Sequence, residues 1–561
     1  MSPQVRFRLG DKLLSKGLVT QDQLEVALKE QSRAHRPLGE ILLSLGFVTP
    51  ETITRLVAED LGIPFLRAQE VEPDPLLLSA LDAAFVRETL AFPIRLVEGE
   101  LLVLMVDPDD PAKVSAIRAR FPYPLQIAIT TEGDIRWLLN QFVHGETART
   151  AQVFAELAQD KLADVPVEKL TQAVILDGIY RGATDIHIEP DPRVTRVRYR
   201  IDGILQSGEN LPHEVTAAVV SRVKILAGLD ISERRRPQDG RIRFAVDERH
   251  VDLRVSIMPT TDGENVVVRI LDNSGTSRGK LDTLGISPEQ VRALKLIADR
   301  SHGLFLVTGP TGSGKTTTLY SLLGEVDAMG RNVATIEDPV EYRLPLLRQS
   351  QVDPAIGFGF QDGLRALLRQ DPDVILVGEI RDSETAQMAI KASMTGHLVF
   401  STLHTNSALG AIPRLVDIGV DAYLIEDSLI GVLAQRLVRR VCRACARPAP
   451  LTDADRRWLG DDVGTPLEGA GCDRCRKTGY SGRTVMSELF LPDEETADAI
   501  RSGADLGTLR RLAIAQGLHT MDQDGRAKVR AGITTRVEVE RVNRSHRLDG
   551  EERKAARSKP S

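Results

Sequence analysis

Residues 303–326 read GLFLVT-GPTGSGKT-TTLYSLLGEV, and the central octapeptide fits the phosphate-loop spacing G-x-x-x-x-G-K-[ST]. Spacing alone also matches glycine-rich loops by chance, so the flanks decide the reading. The apolar run before the octapeptide predicts a buried strand, and the periodic stretch after it predicts a helix. The glycines let the backbone curl until amide N–H groups face phosphate oxygens, and the helix N-terminus adds its positive end. The expected phosphate-binding set is therefore Gly309, Pro310, Thr311, Gly312, Ser313, Gly314, Lys315 and Thr316. Lys315 is expected on the β- and γ-phosphates and Thr316 on magnesium.

Three more apolar strands follow, each with a helical pattern behind it: VATIED from Val333, VILVGE from Val374 and LVFSTL from Leu398. The first falls between the loop and the VILVGE stretch in the chain. That extra strand suggests a RecA-like sheet whose strand ends converge beside the phosphates. Glu337, with Asp338 and Glu341 close behind, ends the first; Glu379 ends the second; His404 ends the third. Attack of water on a γ-phosphate needs a group to orient or deprotonate it, which makes Glu337 and Glu379 candidates. Either could instead be a solvated acid at a strand end. His404 could hydrogen-bond a γ-phosphate, whereas His397 reads as structural. Gly378 stands where the common nucleotidase pattern has an aspartate that helps hold magnesium.

Bulk properties narrow the classes. A chain of 561 residues holds about three to five domains. A hydrophobic fraction of 42% with 27% charged residues belongs to a globular protein. A net charge of −7 and only 4% aromatics argue against binding a nucleic-acid polymer. The first residues lack the apolar core of a signal peptide, and no apolar stretch reaches the roughly 18 residues that cross a bilayer. The expected location is the cytoplasm, with any membrane contact made peripherally through partners.

Upstream, the first 60 residues repeat themselves at an offset of 29, aligning Leu9, Gly10, Leu13, Leu14, Gly17, Val19 and Thr20 with Leu38, Gly39, Leu42, Leu43, Gly46, Val48 and Thr49. Each unit predicts a short helix ended by a glycine, then a threonine N-cap and a second helix. Residues 166–272 alternate in β fashion, with one helix at 213–228. In TRVRYRIDG, Arg196, Arg198 and Arg200 fall on one strand face, which costs energy unless anions meet them. Near the other end, Cys442-x-x-Cys445 and Cys472-x-x-Cys475 account for every cysteine. Two such knuckles supply four thiolates for a closed tetrahedral zinc site, with Arg439, Arg440, Arg443, Arg474 and Arg476 expected to stabilise the thiolates; a redox pair or reduced core thiols is the alternative reading. The long gap between the pairs predicts a helix at DADRRWLG.

GPTGSGKTTTLY, TIEDPVEY, LRQDPDVILVGEIRD and TGHLVFSTLHTN together resemble the four signature boxes of the type II/IV secretion ATPase superfamily. GVLAQRLVRRVC is similar to its type II secretion branch, with type IV pilus assembly ATPases next. The resemblance covers residues 160–545. It implies a homo-hexamer that hydrolyses ATP with Mg2+ and drives pseudopilus assembly through cytoplasmic domains of inner-membrane proteins. It makes Glu379 the catalytic acid, Glu337 a second acid at the water and His404 the His-box residue. It brings Arg200 and Arg222 to the phosphates from the platform, and it makes the glycine before Glu379 the family's normal pattern. Rival readings are a type IV pilus assembly ATPase, a DNA translocase and a nucleotide-binding adaptor without turnover. The N-terminal repeat resembles a cyclic di-GMP-binding domain through Arg8, Leu9, Gly10 and Gln31, but Asp60 stands where a glutamine is expected; docking onto an inner-membrane partner is the other reading.

The expected fold class is α/β multidomain: a RecA-like phosphate-loop core, a β-rich platform, a four-cysteine zinc module and an N-terminal helical repeat. The expected divisions are a repeat at 1–66, a small α/β subdomain at 67–145, a linker at 146–165, the platform at 166–278 and the ATPase domain at 279–440. A zinc module at 441–490, a helical domain at 491–545 and a disordered tail at 546–561 complete the chain.

Overall fold

The computed structural model describes residues 9–34, 36–71, 73–78, 81–142, 166–246, 249–271, 280–460 and 463–543. The linker, the tail and Arg8 lie outside the described residues. The chain divides into two compact units, residues 1–276 and 277–561.

The first unit begins with the repeat. Helices Leu9–Ser15 and Gln21–Ala34 are echoed by Leu38–Ser44 and Pro50–Leu61. Gly17 and Gly46 take φ of 64° and 73°, the left-handed turn that ends each first helix. Equivalent bonds close both turns: Leu18 N–H donates to the Leu13 carbonyl (2.9 Å) and Phe47 N–H to that of Leu42 (3.0 Å). Thr20 and Thr49 cap the second helices by accepting from the N–H of Gln23 (3.3 Å) and Thr52 (3.2 Å). Asp60 is ion-paired with Lys12, so the acid that departs from the dinucleotide-binding pattern has a cation beside it. A small α/β layer follows, with strands β1 (Ala91–Val97), β2 (Glu100–Met105) and β3 (Leu125–Ile129) in the order β1-β2-β3.

The platform strands are β4 (Asp185–Pro190), β5 (Val194–Ile201), β6 (Ile204–Ser207), β7 (Leu211–Pro212), β8 (Gln238–Val246), β9 (Arg249–Thr260) and β10 (Gly263–Leu271). They pair in the order β6-β5-β4-β10-β9-β8, with β7 on β5. Alternation along β5 buries Val197, Tyr199 and Ile201 and turns the arginines to the other face. The expected helix runs from Thr216 to Ala227.

The second unit is built on β11 (Gly303–Thr308), β12 (Val333–Glu337), β13 (Arg348–Gln351), β14 (Val374–Val377), β15 (Leu398–Leu403) and β16 (Leu429–Val441). The short β17 (Ala446–Pro448) and β18 (Leu467–Gly469) pair with each other, and β19 (Tyr480–Phe490) returns to the main sheet. The main order is β13-β12-β14-β15-β11-β16-β19, parallel except where β19 runs against β16. The inner strands are buried on both faces, as β11 shows: Leu304 and Leu306 enter one core, Phe305 and Val307 the other. One strand does separate the loop strand from the acid strand, but it is β15, which carries His404. The strand of Glu337 lies beyond β14, because chain order does not fix spatial order in a doubly wound sheet. Helices Glu494–Arg501, Leu506–Ala515, Met521–Arg530 and Arg536–Asn543 complete the unit.

Candidate nucleotide site and cysteine cluster

The octapeptide turns from β11 into helix Lys315–Leu323. Two of its glycines are set by contact as much as by turning. A Cβ at Gly309 would meet the Gln435 carbonyl oxygen at 2.4 Å, and one at Gly314 would meet Gln435 Nε2 at 3.2 Å. Gln435 lies on β16, fully buried, and its Nε2 donates to the Ser313 carbonyl (2.7 Å). Nothing in the motif announces Gln435; a polar amide ending the apolar run Leu429–Ala434 is its one sequence signal. Lys315 Nζ donates to the carbonyls of Gly309 (2.9 Å) and Pro310 (3.2 Å). Burial lowers the pKa of Lys315, and the negative charge of Glu379 opposes that shift.

The expected acids and histidine end adjacent strands. Glu379 follows β14 and is mostly buried; its carboxylate contacts Arg381 and lies 3.5 Å from His404 Nε2 at the end of β15. Below them, the Thr308 hydroxyl meets Thr405 Oγ1 at 2.7 Å and accepts from the Thr405 N–H (2.8 Å), tying the strand before the loop to the segment after His404.

Glu337, the last residue of β12, is buried. Its carboxylate accepts from Tyr320 Oη, Thr335 Oγ1 (2.5 Å) and Gln349 Nε2 (3.3 Å). Burial raises its pKa against the pull of those three donors. Gly378 is explained by the same neighbourhood. A Cβ there would lie 3.2 Å from Glu337 Cα and 3.3 Å from the Ile336 carbonyl oxygen. The Gly378 N–H donates to that oxygen (2.8 Å), so the two strand ends are in direct backbone contact where an aspartate side chain would have to stand.

In the first unit, the arginine face meets carboxylates of its own sheet. Arg196 pairs with Asp191 (2.6 Å), Arg198 with Glu189 (2.6 Å) and Arg200 with Asp185 (3.7 Å), which Arg269 also contacts (3.0 Å). Register explains the last pair, since Asp185 lies opposite Arg200 across β4 and β5. Arg222 contacts Glu168. These acids come from outside the TRVRYRIDG stretch, so the stretch alone could not reveal them.

The four cysteine sulfurs lie within 4.8 Å of one another. Cys442 Sγ is 3.9 Å from Cys472 Sγ, and Cys475 Sγ is 3.8 Å from both Cys445 Sγ and Cys472 Sγ. A tetrahedral ion with metal–sulfur bonds of about 2.3 Å separates its sulfurs by about 3.8 Å, so these four residues could hold zinc. Burial pushes the Cys442 thiol up to about 12. At Cys475 burial acts the same way, but the N–H groups of Cys472 and Gly479 outweigh it and bring the thiol down to about 7. A divalent cation among them would hold all four as thiolates. Arg439 does not serve the sulfurs as expected: it pairs with Glu538 (2.9 Å) and lies over the Tyr480 ring. The helix foreseen in the gap is Asp453–Leu459.

The family pattern described as Type II/IV secretion system protein matches residues 160–542. The chain belongs to this family of secretion and pilus-assembly ATPases. A second pattern, the MshEN domain, matches residues 61–149, which is the small α/β layer rather than the helical repeat. The chain is 40% identical over 531 residues to "Type IV pilus assembly ATPase PilB" of Thermus thermophilus, covering 91% of this chain and 59% of that relative's length. It is 38% identical over 558 residues to "Type II secretion system protein E" of Xanthomonas campestris, covering 95% of this chain and 98% of the other. Among solved structures, the Legionella pneumophila ATPase DotB matches 67% of this chain and 95% of its own at a TM-score of 0.50 and 22% identity, a likeness of fold. Among the described residues, no helix is long and apolar enough to cross a membrane.

Proposed function

We propose that the chain is a magnesium-dependent ATPase motor that works as a homo-hexamer on the cytoplasmic face of the inner membrane and powers pseudopilus assembly in type II secretion. The observation that carries this reading is the convergence of Glu379 and His404 on adjacent strand ends, with Glu379 close enough to act on the charge of Lys315. Gly309 to Thr316 would cradle the phosphates, Lys315 would neutralise the β- and γ-phosphates, and Thr316 would hold magnesium. The metal would offset charge on the phosphate oxygens. Glu379 would orient and deprotonate the attacking water, Glu337 would serve as a second acid beside it, and His404 would report the γ-phosphate. Arg200 and Arg222 would reach the phosphates when the platform closes, exchanging their present carboxylates for phosphate oxygens. Cys442, Cys445, Cys472 and Cys475 would hold a structural zinc ion. The N-terminal repeat would dock onto cytoplasmic domains of inner-membrane proteins, with cyclic di-GMP as a compatible ligand.

Type IV pilus assembly is the second reading, favoured by the 40% identity to a pilus assembly ATPase. Complementation separates the two. In a host lacking its own secretion ATPase, restored export of secreted enzymes supports the first reading. Restored piliation of a host lacking its pilus ATPase, without export, supports the second. Turnover of ATP by the assembled full-length protein, lost in Lys315→Ala, tests the motor itself; no turnover by the assembled parent would favour an adaptor.

A further inference from the structure

Tyr320 sits on the helix that leaves the phosphate loop, yet its hydroxyl does not serve the loop. The side chain is buried and its hydroxyl contacts Glu337 Oε2 at the far end of β12. Through the sheet, the route from the loop strand to Glu337 crosses three pairings, β11 to β15 to β14 to β12. At about 4.8 Å per pairing, that is roughly 14 Å. Tyr320 joins the helix that follows the loop directly to the end of β12 with one side chain.

The hydroxyl is held from several sides. It accepts from the Glu341 N–H (3.3 Å), Gln349 Nε2 lies 3.4 Å away, and the Tyr342 ring packs edge-on with centroids 4.7 Å apart. Glu337 in turn is satisfied by a hydroxyl from its own strand and an amide from β13. The titratable groups facing it are Tyr320 from the helix and Glu341 from the segment after β12; neither supplies a positive charge. A buried carboxyl held by neutral donors depends on each of them for its direction and its ionisation.

We infer that Tyr320 is a positioning residue for Glu337, its hydroxyl fixing the direction of that carboxyl and linking it to the helix that follows the phosphate loop. The inference rests on the proposed role of Glu337 in ATP hydrolysis. A ligand that shifts the N-terminus of this helix would move the donor that orients the acid.

The test is the pH profile of ATP turnover by the assembled full-length protein, comparing the parent with Tyr320→Phe, Gln349→Ala and Glu337→Gln. Tyr320→Phe keeps the ring and removes one donor to the carboxylate. Because that donor favours ionisation, its loss raises the pH at which Glu337 becomes a carboxylate. The acid limb of kcat should move up by about one pH unit, so the loss is about tenfold on the limb itself and disappears on the plateau, with KM for ATP within about twofold. Gln349→Ala should move the limb the same way. A limb unmoved in both variants overturns the inference, whether their rates match the parent's or fall equally at every pH, as a packing role would produce. Glu337→Gln separates the two layers. If it keeps the parent rate, the role of Glu337 fails and this inference with it; if it is inactive while Tyr320→Phe and Gln349→Ala keep the parent limb, only this inference fails.

Discussion

His404 Nε2 stands 3.5 Å from Glu379 Oε2, the two side chains projecting from the ends of the neighbouring strands β15 and β14. On the proposed role, a bound γ-phosphate would offer the imidazole a second acceptor beside Glu379. His404→Gln keeps a donor but loses the ring, and kcat should fall about tenfold to a hundredfold. Steady-state ATP turnover measures it, and an unchanged kcat would remove His404 from the site.

Gly378 is required by packing. A methyl group there would press on Glu337 Cα and the Ile336 carbonyl, both backbone atoms that cannot swing aside. Gly378→Ala should cost about 1–3 kcal/mol, the usual range for overpacking. Gly378→Asp, the residue of the common nucleotidase pattern, should cost more. Thermal unfolding checks the order: parent, then alanine, then aspartate in falling Tm. An aspartate variant as stable as the parent would refute the steric account.

The sulfur separations predict metal. Protein purified without chelator should carry one zinc ion per chain by elemental analysis. Cys475→Ser should lose that ion and unfold at a lower temperature, since a structural zinc site contributes to folding directly. Full occupancy in Cys475→Ser, or no metal in the parent, would count against the site.

What the sequence revealed divides along local and non-local lines. The parallel strands β11, β12, β14 and β15 were readable because strands buried on both faces are uninterrupted apolar runs, as in Val374–Val377; the polar edge strand β13 (Arg348–Gln351) gave no such signal. The repeat was readable because Gly17, Gly46, Thr20 and Thr49 each act within one turn. The octapeptide was readable because all its groups lie within one loop and one helix. Strand order was not, because it depends on which helix crosses where, and so β15 took the position between loop and acid. The fates of Arg196, Arg198 and Arg200 were half readable: period two gave the shared face, while the acids of β4 and of the turn after it needed the register. Gln435 and Tyr320 escaped notice because each acts on a residue distant in the chain, Gln435 on Ser313 and Tyr320 on Glu337.

The most direct measurement of the central claim is ATP hydrolysis by the assembled full-length protein, parent against Glu379→Gln, with nucleotide binding followed in parallel. The motor reading predicts that the parent turns over ATP with magnesium and that Glu379→Gln binds it about as well. It also predicts that kcat falls about a hundredfold or more in the variant, the scale on which a general base acts. Equal rates in the two proteins would contradict it.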